Sequence, residues 1–129
     1  MDSMKPPSST IMTEIVLPTD ANSLGYLRGG RLVDWMDVAA EIACQRHCGR
    51  AAVTVSMDKV SFSKPIKVGE IVTVQATLVK TRKTSMEIKV EVWTENIRDR
   101  SKQKTNEATL TFVAVDAHGS PVKVPGLFK

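Results

Sequence analysis

The sequence predicts an α+β domain in which an antiparallel sheet of five strands curls around one long helix. Only residues 30–46 repeat apolar side chains with the 3.6-residue period of a helix, and the flanking segments alternate as strands do. Most of these segments are joined by short reversals, as antiparallel neighbours are. A helix of about 16 residues is about 24 Å long, which matches five strands spaced about 4.8 Å apart.

The first part of the predicted domain consists of one strand, a loop and the helix. Residues 11–17 alternate loosely between apolar and polar side chains, which predicts the first strand. The following loop contains the turn-forming residues Asp20 and Asn22 and leads into a glycine-rich stretch. The helix then covers residues 30–46 and ends near Gly49.

The rest of the folded chain is predicted to be strand. Four further segments carry apolar side chains at about every second position: residues 52–62, 71–80, 84–95 and 105–115. In the first of them, Val53, Val55 and Met57 form one apolar face. Strands of this length can also pair along a sheet edge with a second copy of the chain.

The two ends of the chain are assigned to tails. Residues 1–10 are rich in serine and proline and predict a disordered tail, residues 11–125 form the one folded domain, and residues 126–129 form a C-terminal tail. No apolar run reaches the roughly 18 residues that a membrane span needs. The N-terminus lacks the apolar core of a signal peptide, which indicates a cytoplasmic location.

The net charge of +4 raises the question of a polyanionic partner. The basic residues are scattered among acidic ones, apart from the cluster Lys80, Arg82 and Lys83. Only 5% of the residues are aromatic, so few side chains could stack on bases. We therefore expect no nucleic-acid partner, and the cluster fits a small ligand with a phosphate group better.

One acidic residue of the helix lies where a carboxylate is costly. On a helical wheel Asp34, Glu41 and Gln45 share the solvated side, whereas Asp37 falls at the border of the apolar face beside Val33. A carboxylate in that place is partly desolvated. Asp37 is therefore the candidate for a general base or a nucleophile.

Two glycines at the start of the helix are candidates for binding an oxyanion. The first amides of a helix have no intrahelical partner, and Gly29 and Gly30 present no side chain that would block a ligand oxygen. Seven residues separate Gly30 from Asp37, which is about 10 Å along the helix axis. One helix therefore cannot supply both groups to one carbonyl, and a site shared by two copies of the chain is the natural hypothesis.

Cys44, His47 and Cys48 lie close together near the end of the helix. They allow a metal site or a Cys–His nucleophile as functional readings. Two thiols and one imidazole are too few for a closed zinc site. We interpret them as reduced thiols with a histidine that is favourable near the negative end of the helix dipole, and we expect no bound metal.

Several motifs resemble one known family over residues 11–125. They are Asp20-Ala21-Asn22, Gly29-Gly30-Arg31-Leu32, Trp35-Met36-Asp37, Lys64-Pro65-Ile66-Lys67-Val68-Gly69-Glu70 and Thr84-Ser85-Met86-Glu87-Ile88. In their order and composition the chain resembles the hotdog-fold acyl-CoA thioesterases, specifically the cytosolic acyl-CoA hydrolase subfamily. The resemblance implies a βαββββ hotdog fold, a homodimer with a continuous sheet, and usually a trimer of dimers, that is, a homohexamer.

The resemblance also implies a reaction and the residues that carry it. The reaction is hydrolysis of acyl-CoA to a free fatty acid and coenzyme A, with no cofactor besides the substrate. The catalytic acid of the family corresponds to Asp37, and the oxyanion donors correspond to amides near Gly29 and Gly30 of the other subunit. Apart from the resemblance, Thr54 is a candidate for orienting the water, and the alternative is an ordinary strand threonine. A carboxylate at Asp37 is compatible with two routes, namely activation of water and direct attack on the carbonyl carbon.

The contacts to coenzyme A are expected in the loop before the long fourth strand. The residues that match the family's nucleotide-binding loop are Arg82, Lys83, Thr84 and Ser85, with Arg82 in place of the usual glycine. A second departure is Tyr26, at a position where the family often has Asn or Asp. Asn22 is the candidate to supply that polar group.

Two other functions are compatible with the same fold. A non-catalytic sensor of acyl-CoA would bind coenzyme A without turnover. A hydratase or dehydratase would need a histidine paired with an acid in the helix, and the helix offers Asp37 without a histidine until its end. The thioesterase is therefore the preferred hypothesis, with the sensor as the alternative.

Overall fold

Five strands and one long helix follow one another in the order β–α–β–β–β–β. The computed structural model describes residues 8–62 and 64–127. The elements are β1 (Ser9–Ile15), a short 3-10 helix (Pro18–Asp20), α1 (Gly29–Cys48), β2 (Ala52–Asp58), β3 (Ile71–Thr81), β4 (Ser85–Glu95) and β5 (Lys102–Ala114). The predicted α+β class and element order are confirmed.

The five strands form one antiparallel sheet in the order β1-β3-β4-β5-β2. The sequence alternation sets which face of the central strands is buried. In β4, Met86, Ile88, Val90 and Val92 are fully buried, while the residues between them are partly or fully exposed. The apolar face of this sheet packs on α1, so the core lies between the helix and the sheet.

Small side chains let α1 lie close to the sheet. Ala39, Ala40 and Ala43 are fully buried and lie on the same face of the helix as the larger Met36. The helix ends at Gly49, whose φ of 72° is the left-handed conformation that terminates helices, and its amide donates to the oxygen of Gln45. The helix therefore extends one residue before and two residues beyond the predicted 30–46.

The first strand lies two residues earlier than predicted. Ser9, which the sequence assigns to the tail, pairs with Thr77 of β3, and the ladder ends where Ile15 meets Ile71, the first residue of β3. The boundary was wrong because the strand's limits are set by a partner that lies about 60 residues away in the chain, which local alternation cannot reveal. Residues 1–7 of the predicted tail lie outside the described residues.

The second strand is shorter than predicted, and of its predicted apolar face only Met57 packs against the core. β2 ends at Asp58 rather than at residue 62, because Lys59 has a φ of 58° and leaves the extended conformation. The register against β5 shifts between Thr54 and Ser56, and the side chains of Val53 and Val55 are 48% and 55% exposed. As an edge strand, β2 has one side that no strand of the described chain covers.

The C-terminal part packs on the domain further than predicted. Val124 is buried and Leu127 packs against the core, so residues 126 and 127 belong to the fold rather than to a tail. Residues 128 and 129 lie outside the described residues. β5 also begins at Lys102 instead of residue 105, because its first residues continue the hairpin with β4.

Candidate active site

A hydrogen bond joins the candidate acid in α1 to β2. Thr54 Oγ1 donates to Asp37 Oδ1 across 2.6 Å. Asp37 is half-buried at the border of the apolar helix face, as the wheel predicted, and Thr54 is exposed at the irregular register of β2. The bond to the charged oxygen is short and directional, so it holds the carboxylate in one orientation. The second oxygen, Oδ2, has no protein donor within the described part of the chain.

The start of α1 presents open amides. Arg28 precedes the helix without a side-chain cap, and the first turn contains no acidic residue. Among residues 8–62 and 64–127, no acceptor receives a hydrogen bond from the amide of Gly29 or Gly30. The space beside the Cα of Gly30 is empty to 4 Å. These amides at the positive end of the helix dipole can bind an oxyanion.

Phe62 lies against Gly29, which the sequence analysis did not single out as a site contact. A Cβ on Gly29 would lie 3.4 Å from Cε1 of the phenylalanine ring. The ring is itself 53% exposed. It therefore lines one side of the open amides with an apolar surface. The signal available in the sequence was a bulky apolar residue just before the Lys-Pro-Ile motif.

An ion pair between the buried Asp20 and the exposed Arg31 fixes the loop before α1. The carboxylate of Asp20 accepts hydrogen bonds from the amide of Leu17 at 2.9 Å and from Nε of Arg31 at 3.0 Å. The Leu17 amide, and after it the Arg31 guanidinium, hold the pKa of Asp20 below its ordinary value. The backbone oxygen of Asp20 also accepts a hydrogen bond from the amide of Arg28. The first turn of α1 is therefore anchored from the loop side.

Asn22 shapes the loop with its side-chain oxygen. Oδ1 accepts the amides of Leu24 at 2.9 Å and Tyr26 at 3.1 Å, and the amide of Asn22 donates to the oxygen of Tyr26. The side-chain NH2 group makes no hydrogen bond within the described residues and points a donor outward from an exposed loop. No hydrogen bond within the described chain joins Asn22 to Asp37.

The predicted coenzyme A contacts form the turn between β3 and β4. Arg82 and Lys83 are exposed, while Thr84 and Ser85 are half-buried. The amide of Arg82 donates to the backbone oxygen of Ser85 at 2.9 Å, which closes the turn. Nη1 of Arg82 lies 4.0 Å from Glu87. The turn therefore exposes two positive charges, and no hydrogen bond in the described chain links it to Asp37.

Cys44 and His47 are more buried than a helix end suggests, whereas Cys48 is half-buried. Cys44 and His47 are almost fully buried, and burial raises the pKa of the Cys44 thiol. His47 does not face the solvent at the dipole's negative end, because its Nε2 donates to the oxygen of Pro125 at 2.7 Å. Within the described residues, no three His, Cys, Asp or Glu side chains are grouped as metal ligands, and no helix is long and apolar enough to cross a membrane.

Comparison with known proteins identifies the family. The chain matches the model of the Thioesterase superfamily over residues 24–100. It is 38% identical, over 92% of its length and 69% of the other protein, to an uncharacterized acyl-CoA thioester hydrolase, YkhA, of Bacillus subtilis. The chain spans about two thirds of the length of the first curated relatives that it matches.

Two solved structures show the same fold. The acyl-CoA hydrolase of Staphylococcus aureus, solved with butyryl coenzyme A, coenzyme A and coenzyme A disulfide, has a TM-score of 0.86 at 33% identity, over 93% of this chain and 73% of that one. A hexameric thioesterase of Yersinia pestis has a TM-score of 0.85 at 32% identity, over 95% of this chain and 99% of that one.

The Staphylococcus enzyme has also been solved as three alanine variants. They replace an asparagine, an aspartate 15 positions later and a threonine a further 17 positions later. Asn22, Asp37 and Thr54 have the same residue types at the same two spacings. The described fold, the family match and the identity to these proteins agree with one another. The chain therefore belongs to the thioesterase superfamily and has its hotdog fold.

Proposed function

We propose that this protein hydrolyses acyl-CoA thioesters to a carboxylic acid and coenzyme A, with Asp37 as the general base. The observation that carries the proposal is the 2.6 Å hydrogen bond from Thr54 to Asp37. It occupies one carboxylate oxygen and leaves the other available to accept a proton from water. The names of the relatives and of the solved structures support the substrate class.

The chemistry requires few groups because a thioester is already activated. The oxygen of a water molecule attacks the carbonyl carbon while Oδ2 of Asp37 accepts a proton from that water. The carbonyl oxygen becomes an oxyanion, which the open amides of Gly29 and Gly30 bind. The C–S bond then breaks, and the thiolate of coenzyme A takes up the proton from Asp37. No metal or cofactor takes part in this sequence.

The two halves of this site come from different copies of the chain. Gly30 and Asp37 are about 10 Å apart along the helix axis, which is too far for one carbonyl group. The uncovered edge of β2, with its exposed valines at 53 and 55, supports pairing with a second copy next to Thr54. We propose a homodimer as the minimal active unit. The hexameric Yersinia neighbour supports a trimer of dimers.

Asn22 is assigned to the half of the site that contains the amides. It lies in the loop that leads directly to Gly29, and its side-chain NH2 is an available donor. The matching spacing of the three residues altered in the Staphylococcus enzyme supports a common role with Asp37 and Thr54. In each site, Asn22 of one copy thus donates to the water or to the carbonyl oxygen, and Asp37 belongs to the other copy.

The turn at residues 82–85 binds the phosphates of the nucleotide. The exposed charges of Arg82 and Lys83 supply the attraction, and the hydroxyl groups of Thr84 and Ser85 can donate to phosphate oxygens. The coenzyme A complexes of the Staphylococcus enzyme support a binding site for the coenzyme A part of the substrate.

Thiol release from a series of acyl-CoAs tests the reaction. We expect the wild type to release coenzyme A, and we expect the Asp37→Asn variant to turn over at least about 100-fold more slowly with substrate binding retained. Asp34→Asn is the matched control, because Asp34 is an exposed acid on the same helix. Coenzyme A binding without turnover at any chain length would instead favour the non-catalytic sensor.

A single turnover in water labelled with heavy oxygen tests the role of Asp37. A general base transfers no oxygen, so the label should enter the acid product in the first turnover. If unlabelled acid is released first and the label appears in the Asp37 carboxylate, the residue is a nucleophile and the mechanism proceeds through a mixed anhydride.

A further inference from the structure

The last turn of α1 contains a buried histidine that the proposed mechanism does not use. His47 is only 1% exposed. Its Nε2 donates to the backbone oxygen of Pro125 at 2.7 Å, and because a carbonyl oxygen only accepts, Nε2 carries the hydrogen. The other ring nitrogen, Nδ1, is buried and has no hydrogen-bond partner among the described residues. The ring thus makes one hydrogen bond and leaves one polar atom unsatisfied.

A histidine at this position costs free energy that an apolar residue would not cost. A buried polar atom without a partner costs free energy, and an apolar ring of similar size could fill the same space without that cost. The property that distinguishes histidine here is its donor to the chain at residue 125. That donor fixes the stretch of residues 122–127, which we call the C-terminal segment.

The C-terminal segment is bonded to the turn that carries the proposed phosphate contacts. The amide of Val124 donates to the oxygen of Lys83 at 2.9 Å. The amide of Val122 donates to the oxygen of Ala114, whose own amide donates to the oxygen of Thr84. Val124 is also buried in the core. The segment therefore spans the distance between His47 and the turn at residues 82–85.

We propose that His47 is a positioning residue for the nucleotide of coenzyme A. By holding Pro125 it keeps the Val124 amide on the oxygen of Lys83, and this fixes the backbone of the turn that carries the exposed Arg82 and Lys83. The inference rests on the proposed function in one respect, namely that this turn binds the nucleotide. Within the described residues, neither Asp37 in the middle of α1 nor the amides at its start make a hydrogen bond to the C-terminal segment.

The test compares two substrates with the same acyl group. One is the acyl-CoA and the other is the acyl-pantetheine thioester, which lacks the nucleotide. We expect His47→Phe to raise KM for the acyl-CoA about tenfold with kcat within about twofold, and to leave both constants for acyl-pantetheine unchanged. His47→Gln, whose side-chain amide can donate near the position of Nε2, should restore KM. His118→Phe is the control, because His118 is exposed.

The alternative outcomes separate the two proposals. Equal losses with both substrates, or an unchanged KM for acyl-CoA, would overturn the role of His47 and leave the hydrolase intact. An inactive wild type would count against the hydrolase. Calorimetry with coenzyme A would then decide, since a weaker affinity of His47→Phe supports the inference and an unchanged affinity refutes it. If His47→Phe does not fold, His47→Leu, which removes the donor with a smaller side chain, must show the same selective rise in KM or Kd.

Discussion

Thr54 Oγ1 and Asp37 Oδ1 lie 2.6 Å apart, although one belongs to the sheet edge and the other to the middle of the helix. The bond connects α1 to β2, so the orientation of the Asp37 carboxylate depends on the position of this strand. A change in the pairing of β2 would therefore reach the reacting group directly.

We expect Thr54→Val to lower kcat and Thr54→Ser to retain most of it. A hydrogen bond to a charged group is worth about 1.5–3 kcal/mol, which corresponds to about 10- to 150-fold in rate. Valine keeps the shape and removes the donor, whereas serine keeps the donor. Thr111, a half-buried threonine of β5, provides a control as Thr111→Val. Steady-state kinetics would contradict the role of Thr54 if the valine and serine variants were equally active.

Gly30→Ala should separate stability from activity. Apart from the adjoining backbone of the helix and the neighbouring residues, no described atom lies within 4 Å of the added methyl group. Alanine favours the helix over glycine by up to about 1 kcal/mol. The methyl group would nevertheless hinder an oxyanion at the amide, and the loss of one such donor costs about 100-fold or more in kcat. Denaturant unfolding and thiol release measure the two effects. An unchanged kcat would show that the amide of Gly30 does not bind the oxyanion.

Two inactive variants should complement each other in mixed oligomers. If each site takes Asp37 from one copy and the amides from the other, a dimer of Asp37→Asn with Gly30→Ala has one intact site and one site with both defects. Random mixing of equal amounts should then restore about a quarter of the wild-type activity. Refolding the variants together and separately measures this. No recovery, with subunit exchange verified, would show that each chain has a complete site.

The stability of the fold should fall in acid because of Asp20. Its pKa is below the ordinary value of 3.8 in the folded chain, because the Leu17 amide and Arg31 favour the charged form. The folded state therefore binds the proton more weakly than the unfolded state, and the contribution to stability is present above about pH 4 and lost as the pH falls through the folded pKa. Urea unfolding between pH 2 and pH 7 should show this slope.

Asp20→Asn supplies the comparison for that measurement. The variant should be less stable than the wild type near neutral pH and should depend less on pH below 4, because it removes the group whose proton affinity changes on folding. Asp34→Asn, at an exposed acid that contacts Arg31 at 3.4 Å, should change neither property much. Parallel stability curves for wild type and Asp20→Asn would contradict the assignment.

The sequence predicted the parts of the fold that depend on local pattern. The period of α1 and the alternation in β4 are both consequences of a single buried face, so the helix, the five strands and the half-buried position of Asp37 followed from them. Some of the motifs that resemble the family lie in these segments, and the others lie in the loops at residues 20–22 and 64–70. The limits of β1 and β2 were missed because each depends on pairing with a distant strand.

The candidate site was predicted less completely, because its contacts join distant parts of the chain. Thr54 was a candidate, but its bond to Asp37 depends on the register shift in β2. Phe62 beside Gly29 and Pro125 beside His47 follow no periodic pattern, since the second pair is separated by 78 residues. The division of the catalytic groups between two copies remains a prediction.

The order of strands also determines when the sheet can be completed during synthesis. β2 leaves the ribosome long before its partner β5, since Ala52 pairs with Ala114, and β1 must likewise wait for β3. Contacts of such long sequence separation form slowly, and they leave α1 with an uncovered apolar face in the meantime. The sheet therefore stays incomplete until β5, its last strand, has been synthesised. A chaperone that binds apolar helices would find its target during that interval.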